Sequence, residues 1–183
     1  MNLFGPGCPI IKESLMIALE IKNIKEFMNH LLNSEAFDSF YMEEASITTF
    51  NTFLIDGHII DAFYEGTDAL GNTLAKPSAF STWKKLRPVC FSLIKGNRSP
   101  VAFKFVLHAG ERYMERLKNN PEAAFHLEQL KALTVNIRFE SGSLRCVTGT
   151  SYHTFVMDKT IDNIWDGDFV SSLTALGVGF ELL

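Results

Sequence analysis

Five cations crowd one short stretch, residues 83–100: Lys84, Lys85, Arg87, Lys95 and Arg98 surround the apolar run "VCFSLI". With Lys76 and Lys104 they make seven cations between Ala69 and Gly110, a segment with no Asp or Glu. The rest of the chain holds ten basic and twenty-one acidic residues, so charge is unevenly distributed along the sequence. Such a segment is suited to meeting phosphates or another anion. The competing reading is a helix whose cations solvate its outer side while Trp83, Leu86, Cys90 and Leu93 turn inward. Trp83 is a stacking group if it is exposed.

Other chemistry-bearing residues are sparser. Thr148, Thr150, Ser151 and His153 lie together in "TGTSYHTF", and Ser151 with His153 would supply a nucleophile and a base. No partner acid and no oxyanion-hole loop accompany them. "DGHIID" offers Asp56, His58 and Asp61, but the turn engages Asp56, and His58 and Asp61 point to opposite faces of a strand. "WDGD" (165–168) reads as a helix break. The chain has no HxxxH, GxxxxGK[ST] or GxGxxG, so no metal, nucleotide or other cofactor is expected. Cys8, Cys90 and Cys146 are odd in number and form no CxxC, which argues against a disulfide framework or a zinc knuckle. Cys90 and Cys146 are read as small buried hydrophobes.

These residues must be held by a core, and the composition provides one. The chain has 183 residues, 46% hydrophobic, with sixteen Phe and a net charge of −4. That excludes general disorder and a polyanion binder driven by net charge alone. No apolar run reaches the ~20 residues of a membrane span. The N-terminus has no basic start and no long apolar stretch, so a reducing cytoplasm and no membrane association are expected. Residues 1–15, with two Gly and two Pro, are expected to be a peripheral extension, and Met16 opens a single domain over 16–183.

Periodicity supplies the elements. "IALEI" alternates as a strand, and Asn23 is expected to cap a helix carrying Ile24, Phe27 and Leu31. Residues 45–63 hold two β-rich runs around Asp56-Gly57, the pair preferred in tight hairpin turns. Residues 64–79 read as a polar loop. Residues 81–96 read as a helix capped by Ser81, ended by Gly96, and kinked or split at Pro88. The alternative is a "VCFSLI" strand pairing back on "VAFKFVL". "VAFKFVLH" is a strand, 110–120 a helix with Tyr113, Met114 and Leu117 on one side, and "EAAFHLEQL" a short helix. A second hairpin turns at Glu140-Ser141-Gly142. A helix over 159–176, interrupted near Gly167, precedes the closing strand "VGFELL". Phe40, Tyr41, Phe50 and Phe53 are assigned to the core. The resulting fold is α+β: a mostly antiparallel sheet with helices packed on one face. The order strand, helix, hairpin, helix occurs twice, which suggests an internal duplication.

"MIALEIKNIKEFMNHLL", "EASITTFNTFLIDG" and "WKKLRPVCFSLIKGNRSPVAFKF", in that order, resemble a family of short bacterial proteins of unknown function, from about Met16 to Leu183. The resemblance implies no activity and transfers no site residue. Family members begin at the position of Met16. In architecture alone, the repeated units and the hairpin "TVNIRFESGSLRCVTGT" are similar to half-domains of DNA sliding clamps, whose basic helices face the duplex. The chain departs from clamps in the helices after each hairpin and in having one domain's length.

Three functions follow as expectations. The first is a non-catalytic binding module that uses segment 69–110, with Lys84, Lys85, Arg87, Lys95 and Arg98, for an anionic partner such as nucleic acid. The second is a structural protein that forms homo-oligomers. The third is a small enzyme without a recognisable motif, centred on Ser151 and His153.

Overall fold

The computed structural model describes residues 16–66, 70, 72, 78–123 and 127–183. The expected extension 1–15, Cys8, Lys76 and parts of the loop 64–79 and of "EAAFHLEQL" lie outside them. Among the described residues, eight strands and four α-helices run in the order β1 (Ala18–Ile21), α1 (Ile24–Asn33), β2 (Tyr41–Thr48), β3 (Thr52–Asp56), β4 (Ser81–Thr82), α2 (Trp83–Ile94), β5 (Ala102–His108), α3 (Glu111–Lys118), β6 (Leu130–Glu140), β7 (Ser143–Tyr152), α4 (Thr160–Ala175) and β8 (Phe180–Leu182). The sheet order is β3-β2-β5-β6-β7-β1-β8, with β4 also on β2, and every pairing is antiparallel. The fold is α+β, as the periodicity predicts.

Period-two alternation sends one set of side chains to each face. Register lines Ile47, Phe103, Phe139, Leu144 and Ile21 into one inner row, and Ala45, Phe105, Ile137, Cys146 and Leu19 into the next. The apolar stripes of all four helices join this inner face in one core. The other face is polar. There Ser46, Lys104, Arg138, Arg145 and Glu20 stand in one row. The first half runs strand, helix, hairpin, then the short β4 before its second helix, whereas the second half runs strand, helix, hairpin, helix, and the halves pair their strands differently. β5 pairs with the hairpin that follows it, whereas β1 pairs with β7 and β8.

Several local expectations are corrected. Asp56-Gly57 does not turn a hairpin. The β2–β3 connection is residues 49–51, closed by the Thr49 amide on the Asn51 carbonyl. Gly57 instead presses on β2: an added Cβ would lie 1.8 Å from the Met42 carbonyl oxygen. At the β6–β7 turn, Ser141 (φ 52°) and Gly142 (φ 79°) both take the positive values that a two-residue hairpin of this kind requires.

Helix α4 runs unbroken through Gly167. Gly167 lies on the exposed side, and its cost of about 1 kcal/mol is outweighed by Ile161, Trp165, Phe169 and Leu173, which bury one stripe at four-residue spacing. Helix α2 likewise continues through Pro88 as one element. Pro88 is exposed, so the Lys84 carbonyl that loses its helical donor can be hydrated. Its N-cap is Thr82 rather than Ser81. Asn23 is the N-cap residue of α1, as expected, but its side chain makes no capping bond there. Its side chain accepts from the Gly179 amide and donates to the Gly177 carbonyl, holding the α4–β8 turn.

Candidate functional site

Helix α2 is fixed by what it gives to α1. The last carbonyls of a helix have no internal donor. In α1 those of His30, Leu31 and Leu32 are met by the Ser34 hydroxyl (2.7 Å), the Trp83 indole N–H (2.9 Å) and Arg87 Nη1 (3.2 Å). Trp83 and Arg87 are four apart, so they share a helical face and reach consecutive carbonyls. Trp83 is fully buried, edge-on to Phe105 at 5.1 Å. It is therefore an anchor and not a stacking surface for a base.

Arg87 leaves the candidate set for the same reason. Its Nε and Nη2 donate to the two Asp38 carboxylate oxygens at 2.9 and 3.0 Å, and the side chains are only 18% and 11% exposed. A guanidinium held this way by a carboxylate and a carbonyl has little left for an external anion.

The remaining four cations stay free. Lys84, Lys85 and Lys95 lie on the exposed side of α2 and its end, and Arg98 is exposed in the following loop. Among the described residues none of the four makes an ion pair. Ten residues of helix separate Lys85 from Lys95, about 15 Å. Lys104 does not join them. It stands on the outer sheet face, away from α2, and bonds Glu44.

At the C-terminal end of α2 the cations meet an aromatic. Pairing of β2 with β5 brings the 49–51 turn beside residues 95–101, tied by the Val101 amide to the Thr48 carbonyl at 2.8 Å. A groove of about 460 Å³ runs between them, lined by Thr49, Phe50, Lys95, Arg98 and Val101 among others. Phe50 was expected in the core. It is 85% exposed, its ring edge-to-face with Phe53 at 5.7 Å. The Thr49 hydroxyl in this groove is buried and has no hydrogen-bond partner among the described residues. The Lys95 ammonium sits 5.8 Å from the Phe91 ring centroid.

The hydroxyl-rich strand is built differently from the sequence expectation. Thr148 and Tyr152 face α4, where carboxylates await them. Thr148 Oγ1 donates to Asp166 at 2.5 Å, and the Tyr152 hydroxyl donates to Asp162 at 3.1 Å. Burial raises Asp166 from its ordinary value, against the Thr148 bond that lowers it, and the nearby Asp162 adds to the rise. Ser151 lies at the opposite parity of β7, on the outer face, and exposed His153 follows the strand, its amide bonded to the Gln129 carbonyl. Buried Asp162 and half-buried Asp166 thus lie across the sheet from Ser151. An i, i+4 pair, Asp162 and Asp166, was the available signal, but only the strand pairing shows what it faces.

Two further places gather chemistry-bearing side chains. A more enclosed pocket of about 190 Å³ has Phe40, Tyr113, Trp165 and Phe169 in its wall. At its wall Tyr113 and Arg116 both donate to one Asp168 oxygen, at 2.8 and 2.9 Å. Its volume is below the roughly 300 Å³ at which small-molecule sites begin. In "DGHIID", His58 and Asp56 are joined at 2.6 Å, and Asp61 starts a separate 3-10 turn. No three His, Cys, Asp or Glu side chains come together as a metal site among the described residues. Cys90 and Cys146 are free and buried, as expected, and burial pushes the Cys90 thiol up to about 12. Among the described residues no helix is long and apolar enough to cross a membrane.

The chain belongs to a family of unknown function, DUF5721, which it matches over residues 30–181. Neither the curated proteins nor the solved structures provide a match.

Proposed function

We propose that the protein is a non-catalytic binding module that presents Lys84, Lys85, Lys95 and Arg98 to a phosphate-bearing polyanion. The observation carrying this reading is the exposure of four cations, none in an ion pair among the described residues, along one helix and its following loop, where the helix itself contains no acid. Elsewhere Lys22 pairs with Glu20 and Glu181, Arg116 with Asp168 and Arg138 with Glu140, while Lys25, Arg112, Lys118, Lys131, Arg145 and Lys159 make no ion pair among the described residues; what supports the reading is the clustering of the four without an intervening acid. Free cations displace counterions when they meet phosphates, so affinity becomes salt-dependent.

The test is fluorescence anisotropy of a labelled polyanionic strand titrated with the full chain at low and at fourfold higher salt. Four phosphate contacts give a logarithmic salt slope of about −3, hence a loss of roughly 50-fold. Lys84→Glu/Lys85→Glu, verified as folded, is expected to weaken binding at least tenfold. Absence of binding at low salt, or equal binding by the variant, would overturn the proposal.

A further inference from the structure

We infer that the polyanion is a single-stranded nucleic acid and that Phe50 stacks on one of its unpaired bases. The inference rests on the binding reading above and adds to it the class of partner. Its basis is the groove at the end of α2, where one wall is Phe50 and the other bears Lys95 and Arg98. Phosphates need cations. A base needs a flat apolar face, and every base offers one when it is unpaired. A duplex keeps its base faces stacked inside, so an aromatic platform beside free cations suits a single strand.

The platform is built rather than incidental. Phe50 occupies the tip of a hairpin whose register with β5 is fixed over seven residue pairs. Phe53 meets the Phe50 ring edge-to-face, 80° between planes, which braces it. Val101, also exposed, extends the apolar surface within the groove. The Thr49 hydroxyl, buried and unpartnered among the described residues, gives the same turn an unused polar group. Lys84 and Lys85 continue the cationic track along α2 away from the platform. A strand laid on this surface places one base on Phe50 and its backbone over Arg98, Lys95 and then Lys85.

Three labelled probes of equal length separate the components: single-stranded oligothymidylate, the same strand paired with oligoadenylate, and an abasic strand carrying the phosphates alone. Anisotropy is measured for the full chain, Phe50→Ala and Phe50→Trp. Phe50 is exposed, so the variants should fold, and a melting curve verifies it. The thymidylate strand is expected to bind about tenfold tighter than the duplex or the abasic strand. Phe50→Ala reduces it to the abasic level, while Phe50→Trp retains it. Binding of the abasic strand is unchanged in both variants. Equal affinity of wild type and Phe50→Ala for the thymidylate strand, with salt-dependent binding intact, overturns this inference and leaves the binding reading standing. Duplex binding as tight as single-strand binding overturns it likewise. No binding of any probe at low salt overturns both.

Discussion

The two sides of α2 use the same charge for opposite ends. Arg87, turned inward, is locked between Asp38 and the Leu32 carbonyl. Lys84 and Lys85, one and two residues from the buried Trp83, face outward with no carboxylate partner among the described residues. A cation's place on the helical wheel, more than its presence in a basic run, decides whether it holds the fold or remains available. The contrast predicts that inward changes unfold the protein and outward changes disarm it.

Trp83→Ala tests the inward side most severely. It removes a fully buried ring and leaves the Leu31 carbonyl without its indole donor. A loss of about 4 kcal/mol in denaturant unfolding is expected. Arg87→Ala follows at about 3 kcal/mol, because Asp38 is left largely shielded and unpaired. Arg87→Ala/Asp38→Ala should cost less than the sum of the single changes; additivity would remove the ion pair from the comparison.

Cys90, also on the inward side, gives a pH test. Burial raises its folded value from 9.0 to about 12. The unfolded thiol therefore loses its proton first, and the folded state holds more protons over that range. Stability must fall as pH rises from 9 to 12, and Cys90→Ala should flatten part of that slope in denaturation midpoints. The smallest effect is expected outside. Lys84→Glu/Lys85→Glu should change stability by no more than about 0.5 kcal/mol. A large loss there would show that both sides of α2 hold the fold.

Alternation and helical spacing made the inner face readable because burial acts on each element separately. Strands β1, β5, β6 and β7 and the stripe of α1 follow from such patterns. The misread residues depend on partners distant in sequence. Gly57 looked like a turn residue, but it is small because the Met42 carbonyl occupies the space of a side chain. Asn23 does stand at the N-cap of α1, but its side chain serves a turn more than 150 residues away. Gly167 looked like a break, but a helix anchored by Trp165 and Phe169 tolerates it. At the site, the cationic run was legible and its division was not. Asp38, which withdraws Arg87, is 49 residues upstream. Phe50 resembled any other core aromatic until the hairpin tip carried it into solvent.

The place of β1 in the sheet has a consequence for the order of assembly. Made early, β1 pairs among the described residues with β7 and β8, which come last in sequence among the described strands. During synthesis Leu19 and Ile21 must wait for about 120 residues before Leu144 and Cys146 give them a neighbour. Until then this margin of the sheet stays unformed, while β2, β5 and β6 can already associate. Closing so long a loop is slow, and contacts of high sequence separation limit folding speed. The last kinetic step should therefore be the docking of β1, long after the strands at the centre of the sheet have met.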